Sequence, residues 1–442
     1  MNALRRIGAQ VLTASFLLVQ SSSLVAEPKS KTAVLTNSGK IRVNQVGYFP
    51  NQEKTAVVQV PLSIFKSNKR WAPGARFEIV QTSDNKVVFT DKLQVAKYYP
   101  FSKEAVRIAD FTKLTTPGKY RLRVGLDYSF EFDIRQDIYK GVSDAALKLF
   151  YYVRCSSDVK EEFGGKWHRP YALPDDKIII HKSAASKVRP TGTLVSAPGG
   201  WFDAGDYNKY TVNAGISTHA LMALYEAQPE YSKFADINIP ESGNGVPDVL
   251  DQAYWNLKWL AQMQDPSDGG VYHKLTAMGF TSLKTMPQDY KLKRYMFGKN
   301  TSAALNFAAT LAQAARVFAP FKKQYPGFAQ TCLKKAKLAY TWAKANPTKR
   351  CVQPKGCISG IYEIENHSFT DEFAWAATEL FITTKDKNYY SESFMPGHAV
   401  DTPTWTHVVS LGYISLVHNR QRIGYLIDMK TIRQRLTEYV DY

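Results

Sequence analysis

The sequence predicts a two-part fold: an antiparallel β-sandwich followed by a mainly α-helical domain. The chain has 442 residues, of which 44% are hydrophobic, so it is long enough to build more than one core. Short β-type runs separated by turn residues fill positions 41–134, which is typical of a small sandwich. After position 135 the apolar residues recur at helical spacing, which indicates a helical domain.

Residues 1–26 are predicted to form a signal peptide. Arg5 and Arg6 precede an apolar run at 11–19, and a serine-rich stretch ends at Ala26. The apolar run is too short to span a bilayer. We therefore expect an exported protein, periplasmic or extracellular, with no membrane segment after cleavage, and we assign residues 27–39 to a linker.

Residues 40–134 are predicted to form the sandwich, with about a hundred residues in antiparallel strands. The breaks between the runs contain Pro-Asn, Ser-Asp-Asn and Pro-Gly, which favour turns. The predicted strands are 55–60, 77–81, 86–90, 105–111, 120–124 and 128–134.

Residues 137–442 are predicted to form the helical domain. A first amphipathic stripe runs from Ile138 to Val153. The connections between helices are often long and rich in Gly, Pro, Asp and His, and such loops are where a helical scaffold carries a site. The further predicted helices are 211–228, 246–264, 301–318, 329–345, 371–384, 404–417 and 428–442.

The net charge of +18 is spread along the chain as single lysines and short pairs, which favours a solvated basic surface. No helix-turn-helix, zinc-finger or RNA-binding signature accompanies it, so no nucleic-acid partner is predicted. Of the four cysteines, Cys351 and Cys357 are close enough in sequence for a local disulfide. Cys155 and Cys332 are interpreted as small buried residues.

The stretch GGWFDAGDYNKY, residues 199–210, places Asp203 and Asp206 three positions apart. If both lie on one turn, their Cβ atoms are roughly 5–6 Å apart. Two like charges that close raise the proton affinity of one carboxylate, which suits a base that takes a proton from water. An inverting glycosidase keeps its acid and base about 6.5–9.5 Å apart, so we interpret both aspartates as partners on the base side.

The glycines of this stretch allow the backbone to bend towards a ligand, while Trp201 and Tyr207 could provide flat walls for a sugar ring. The alternative interpretation is an Asx-type turn that caps the helix starting near Thr211. The residues alone leave both interpretations open.

Residues 199–214, GGWFDAGDYNKYTVNA, resemble the N-terminal catalytic signature of glycoside hydrolase family 9, the cellulases and cellodextrinases with an (α/α)6 barrel. Residues 41–51, IRVNQVGYFPN, resemble the start of the immunoglobulin-like domain that precedes the barrel in many members. Segments 241–264, 268–276 and 371–381 are similar to further family segments, in the expected order.

The resemblance implies that Asp206 is the general base and that Asp203 helps to hold the attacking water. It also implies that His273 contacts substrate. Some family members bind calcium, which is possible here near Glu363 and Asp371, although two carboxylates before a helix also serve as caps. No organic cofactor is expected, and no zinc site is predicted from Cys155, His168 and His181, which are too few at suitable spacing.

The implied activity is cleavage of β-1,4-glucosidic bonds in cellulose or cello-oligosaccharides with inversion. In the family the general acid lies in an Asn-Glu motif that follows a His-His-Arg segment, and neither appears before residue 442. The resemblance therefore predicts an incomplete, C-terminally truncated (α/α)6 barrel that lacks the general acid, with impaired activity. Glu379 and Glu438 are interpreted as structural. The alternatives are a non-catalytic glycan-binding protein and an exo-β-glucosaminidase on the same scaffold.

Overall fold

The computed structural model describes residues 39–66, 75–234, 237–363 and 368–440. The predicted signal peptide and linker residues 27–38 lie outside the described residues. The described chain divides into two compact units, 39–145 and 146–440. Across these described ranges, no helix has the length and apolar character needed to cross a membrane.

The first unit contains two antiparallel sheets, with strand orders β1-β2-β6-β5 and β4-β3-β7-β8, and β9 pairs with β7. Side chains alternate between the two faces of a strand, and in β2 every second residue is buried. The elements are β1 Ile41–Arg42, β2 Thr55–Val60, α1 Leu62–Lys66, β3 Arg76–Gln81, β4 Val87–Lys92, β5 Lys97–Tyr99, β6 Glu104–Asp110, β7 Gly118–Val124, β8 Asp127–Tyr128 and β9 Phe132–Ile134.

Inward-facing residues of both sheets form one hydrophobic core, in which Val58 and Ala109 of one sheet meet Phe77 and Leu122 of the other. This confirms the predicted sandwich. The prediction of one continuous strand over 128–134 is wrong, because residues 129–131 separate β8 from β9. The Ser129 hydroxyl accepts a hydrogen bond from the Leu122 amide at 2.9 Å and donates to the Phe130 carbonyl at 2.6 Å.

The second unit is built mainly from helices, which confirms the predicted helical domain. Its longer helices lie at the predicted positions, with ends that differ by a few residues. They are α2 Lys140–Tyr152 (which begins before the boundary), α3 Glu161–Gly164, α4 Thr211–Ala227, α5 Pro229–Phe234, α6 Asp248–Gln262, α7 Thr301–Val317, α8 Phe328–Ala345, α9 Thr370–Thr384, α10 Lys387–Ser393, α11 Val409–His418, α12 Arg420–Ile423 and α13 Met429–Val440.

Helix α7 lies at the centre of this unit, in contact with α4, α8 and α9. All of its 17 residues are buried, and seven of them are alanines that let neighbouring helices approach closely. On α4, a Cβ at Gly215 would lie 3.1 Å from Oδ1 of Asn306 in α7, so this crossing has little room for a side chain.

Helix α11 begins at Val409, so the predicted start at residue 404 is wrong. Residues 404–407 form a turn instead, in which the amide of Thr404 donates to the His407 carbonyl at 3.0 Å. The Val408 amide donates to the Asp371 carboxylate at 3.0 Å, which joins the start of α11 to α9.

The helical unit also contains short strands that the sequence did not reveal. Five of them form a sheet with the order β13-β12-β16-β15-β14. The strands of this unit are β10 Ser157–Val159, β11 Arg169–Ala172, β12 Ile178–Ile180, β13 Leu194–Val195, β14 Lys209–Tyr210, β15 Lys274–Thr276 and β16 Tyr295–Met296. Each has only two to four residues, too few for an alternating pattern to stand out.

Candidate active site

The two aspartates lie on a loop that turns sharply just before them. Gly199 and Gly200 have φ of +82° and +77°, a left-handed conformation that favours glycine. A Cβ on Gly200 would lie 2.8 Å from the ring of Trp259 in α6. Both backbone conformation and space therefore require glycine at position 200.

Buried groups on both sides anchor this loop. The Gly200 carbonyl accepts from the Cys155 amide at 2.8 Å. The Lys209 ammonium donates to the Gly199 carbonyl at 2.7 Å and forms an ion pair with Asp175 at 2.6 Å. Both side chains of that pair are almost completely buried, so a fixed charge pair lies under the loop.

Asp206 is half-buried and has two side-chain donors. Its Oδ2 accepts from Nδ2 of Asn208 at 2.8 Å and from the hydroxyl of Tyr210 at 3.1 Å. Its Oδ1 also accepts from the Asn208 amide at 3.3 Å, which makes an Asx-type turn. Helix α4, which follows, has Tyr210 as its N-cap residue and no side-chain cap, so neither aspartate caps it.

Asp203 is exposed to solvent and also has two donors. Oδ1 accepts from Nδ2 of Asn213 in α4, and Oδ2 accepts from the hydroxyl of Tyr362, both at 2.8 Å. The surrounding protein atoms raise the pKa of Asp203 by desolvation, the nearby charge of Asp206 acts in the same direction, and the two hydrogen bonds oppose the shift. The two carboxylates are therefore close enough to influence each other.

His273 is completely buried, next to the strand that follows the aspartates. Its carbonyl accepts from the Thr211 amide at 3.0 Å, and its Nδ1 lies 3.2 Å from Oδ1 of Asn300. Burial, with the charge of Lys274, lowers the pKa of His273 to about 3, so the ring is neutral. Within the described residues its Nε2 has no hydrogen-bond partner. Contact of His273 with a substrate stays a prediction.

The structure contradicts the prediction that Trp201 and Tyr207 provide walls for a sugar, because both rings are packed in the protein. Trp201 is 8% exposed and lies 4.5 Å from Phe150 between ring centroids. Tyr207 is 7% exposed and lies 5.0 Å from Phe202. Neither ring has a free face for a ligand, and both instead hold the loop against the core.

A small pocket lies beside Tyr362, and sequence reasoning missed its main residues. Half-buried Trp405 lines it and lies edge-on to Tyr362 at 5.2 Å between ring centroids. Tyr362 itself contacts Asp203 across 159 positions of sequence. No local motif marks such a contact. The other lining residues include Val212, Ser302, Phe369 and Thr406.

The predicted calcium ligands have different surroundings. Glu363 accepts hydrogen bonds from Asn300, Ser302 and the Cys351 amide, so protein groups already occupy its carboxylate. Glu372, beside Asp371, is buried with a pKa raised well above its usual range, chiefly by burial and also by Asp371. Among the described residues its Oε2 lacks a hydrogen-bond partner, as expected of a carboxylate that a cation would neutralise.

Beyond this pair, no cluster of three or more His, Cys, Asp or Glu within the described ranges is arranged to hold a metal. Calcium prefers six to eight oxygen ligands, so carbonyl oxygens or water would have to complete a site at Asp371 and Glu372. The fit is therefore partial. All four cysteines are free thiols in this structure, and Cys155 and Cys332 are buried as predicted.

Comparison with known proteins finds a matching family model for each of the two units. Residues 139–440 match the model of glycosyl hydrolase family 9, and residues 36–129 match the cellulase N-terminal ig-like domain. The chain is 40% identical over 400 residues to a xyloglucan-specific endo-beta-1,4-glucanase of Bacteroides ovatus, covering 88% of this chain and 65% of that protein. It is 30% identical over 371 residues to endoglucanase D of Acetivibrio thermocellus, covering 82% and 55%.

Two solved structures are similar as well. A Bacteroides ovatus GH9 structure has a TM-score of 0.82 and 38% identity, covering 91% of this chain and 73% of that one. A thermostable endoglucanase of Alicyclobacillus acidocaldarius has a TM-score of 0.76 and 26% identity, covering 90% and 69%. Of the two curated relatives named above, the chain covers 65% and 55% of their full length, which is less than two thirds in each case. The family match over most of the chain shows that it belongs to glycosyl hydrolase family 9, with a cellulase-type immunoglobulin-like domain preceding the helical one.

Proposed function

We propose that this protein is a glycoside hydrolase that cleaves β-1,4-linked glucans with inversion of configuration. The observation that carries the proposal is the solvent-accessible pair Asp203 and Asp206 on one bent loop, each held by two neutral donors. The names of the relatives support a β-1,4-glucan as the substrate class.

In the proposed mechanism Asp206 removes a proton from the attacking water, and Asp203 accepts a second hydrogen bond from the same water. The donors from Asn208 and Tyr210 occupy Oδ2 of Asp206 and orient the carboxylate. Because the donors are neutral, they hold the base without neutralising it as an ion pair would. Water then attacks the anomeric carbon from the face opposite the leaving group.

Inversion also needs an acid on the other side of the sugar, and two glutamates considered for that role are structural. Glu379 is completely buried and accepts from Arg316 at 2.5 Å and from Ser415 at 2.6 Å. Glu438 lies on α13, exposed and beside Arg435. Burial closes Glu379 off from a sugar, and Glu438 contacts Gln434 and Arg435 of its own helix.

The substitution Asp206→Asn tests the proposal. Removing the base is expected to lower kcat on cellotetraose or xyloglucan by about 10²- to 10⁴-fold, the usual worth of such a group. Reducing-sugar release gives the rate, and proton NMR of the first product gives the anomer. The control is Asp176→Asn, an exposed aspartate of the same unit. Hydrolysis by Asp206→Asn at the wild-type rate would overturn the assignment.

The glycan-binding alternative predicts a different result. A binding protein would show heat of binding to cellotetraose in calorimetry, with no sugar release that depends on Asp206. An exo-β-glucosaminidase would instead release glucosamine from chitosan oligosaccharides and leave cellotetraose intact.

We also propose that the protein is exported and that calcium binds at Asp371 and Glu372. Arg5, Arg6 and the apolar run after them support export. N-terminal sequencing of the protein recovered from the periplasm or medium should show that the mature chain begins directly after Ala26.

The Glu372 oxygen without a hydrogen-bond partner among the described residues supports calcium binding. Calcium addition should raise the melting temperature, and Glu372→Gln should abolish that rise.

A further inference from the structure

Lys274 is a buried lysine with an unusual set of partners. Its ammonium lies at hydrogen-bond distance from four neutral oxygen acceptors. They are Oε1 of Gln353 at 2.9 Å, Oγ of Ser359 at 3.2 Å, the Ser359 carbonyl at 3.4 Å and the Gly360 carbonyl at 2.7 Å. Sγ of Cys357 lies 3.8 Å away. Burial lowers the pKa of Lys274, as expected for an ammonium in such surroundings. Burial of this ammonium therefore costs free energy of folding.

The partners of Lys274 lie on one segment, residues 353–360, which leads directly to Tyr362. We call residues 351–363 the tyrosine loop. In the tyrosine loop, the Gly360 amide donates to the Tyr210 hydroxyl at 3.1 Å, and that hydroxyl donates to Asp206. Two residues later Tyr362 donates to Asp203. The tyrosine loop thus reaches both carboxylates.

The backbone gives Lys274 a fixed position relative to the aspartates. Strands β14 and β15 pair antiparallel, and Tyr210 lies directly opposite Lys274. The fit against the loop is close, since a Cβ at Gly360 would lie 3.3 Å from the Tyr210 hydroxyl oxygen and 3.2 Å from the Tyr362 ring. A small displacement of the tyrosine loop would therefore change both tyrosine–carboxylate hydrogen bonds.

We propose that Lys274 is a positioning residue that holds the tyrosine loop against Asp203 and Asp206, a role that rests on the proposed function of these two carboxylates. Its ammonium has several donors and can bind the side chain and backbone of the loop at the same time. Tyr210 and Tyr362 then donate to the carboxylates in a fixed geometry. Lys274 itself does not contact the proposed base.

The test compares Lys274→Met, Lys274→Arg and the control Lys335→Met in the full chain. Lys335 is also partly buried and donates to a backbone carbonyl, that of Ala261, at 3.0 Å, but in another part of the unit. The first measurement is the titration of the Asp203 carboxyl by carbon-13 NMR of aspartate-labelled protein, assigned with Asp203→Asn. It does not depend on turnover. The second is the kinetics on cellotetraose.

Lys274→Met is expected to raise the pKa of Asp203, because the hydrogen bond from Tyr362 favours the ionised carboxylate and would be weakened. It should also lower kcat by about 10²-fold with little change in KM, the size of effect that a misplaced group can cause. Lys274→Arg should restore part of the wild-type pKa of Asp203 and part of the wild-type kcat, since its guanidinium can still donate to the loop. Lys335→Met should match the wild type in both.

A folded Lys274→Met protein in which Asp203 titrates as in the wild type would overturn the proposal. If Lys274→Met does not fold, Lys274→Arg decides: an unchanged titration of Asp203 together with unchanged kcat overturns it. Failure of the proposed function has a different signature, namely hydrolysis that Asp206→Asn does not reduce. In that case the Asp203 titration still reports whether Lys274 holds the tyrosine loop.

Discussion

Each aspartate of the candidate site is held by one amide and one phenol. Asn213 and Tyr362 donate to Asp203, and Asn208 and Tyr210 donate to Asp206. Neutral donors stabilise an ionised carboxylate less than a cation would, so they orient the groups and leave them basic enough to take a proton. At the scale of single residues, orientation without neutralisation is the main property of this site.

Tyr362→Phe tests this balance. Desolvation by the surrounding protein atoms raises the pKa of Asp203 and the Tyr362 hydrogen bond lowers it, so loss of the hydroxyl should raise that pKa further. Asp203 acts as a carboxylate, and its activity is lost as pH falls through its pKa. The acid limb of the kcat/KM profile should therefore move to higher pH.

Tyr171→Phe, which removes the hydroxyl of an exposed tyrosine in the same unit, is the control for that experiment and should leave the profile unchanged. An acid limb at the wild-type position in Tyr362→Phe would show that this hydrogen bond does not set the pKa of the group seen in the kinetics.

Sequence reasoning found the two aspartates because they lie in one short stretch with its glycines. It could not find Tyr362, since a contact over 159 positions depends on how the chain folds back. It also took Trp201 and Tyr207 for ligand contacts. A sequence shows that an aromatic ring is near a site, but only the packing around the ring decides whether a face is free.

At the scale of elements, α7 carries polar residues into the centre of the helical unit. Arg316, near its end, donates to Glu226 of α4 at 2.7 Å and to Glu379 of α9 at 2.5 Å. The ion pair with Arg316 lowers the pKa of Glu226 although burial alone would raise it. This network therefore links three helices through paired charges.

Arg316→Met should destabilise the protein by about 3–5 kcal/mol, because it leaves two buried carboxylates without their cation. In the wild type the lowered pKa of Glu226 contributes stability above its unfolded pKa, and this stability is lost as pH falls through the folded pKa. The free energy of unfolding of Arg316→Met should lack this loss at acid pH.

Urea unfolding at several pH values measures both effects, with Arg433→Met on the exposed face of α13 as the control. Equal stability of Arg316→Met and the wild type at neutral pH would contradict the assigned role of this network.

The longer helices could be predicted because burial on one side imposes a period of 3.6 residues over several turns. The same argument fails for β10–β16, whose two to four residues carry no measurable period. It also misplaced the start of α11, where the Val408 amide donates to Asp371 over 37 positions of sequence. Long elements could therefore be predicted from the sequence, whereas short ones could not.

At the scale of the whole molecule, the two units have separate hydrophobic cores. Phe77 is completely buried in the sandwich core, whereas Trp259 and Trp375 are completely buried in the helical one. Tryptophan fluorescence therefore follows mainly the helical unit, and calorimetry reports both units.

Phe77→Ala is expected to destabilise the sandwich by about 3–5 kcal/mol through loss of packing and creation of a cavity. The sandwich transition in calorimetry should move to lower temperature, while the transition seen by tryptophan fluorescence should stay. Val95→Ala, at a site that is 82% exposed in the same unit, is the control. Equal shifts in both signals would mean that the units unfold together.

The complete burial of α7 has a consequence for biosynthesis. Its partners lie on both sides of it in the chain, with α4 earlier and α8 and α9 later. During translation the helix therefore emerges before half of its surroundings exist, and it stays exposed until residue 384 has left the ribosome. A chain that has not passed that point leaves the apolar surface of α7 unpaired, and such surface is prone to association until the unit folds.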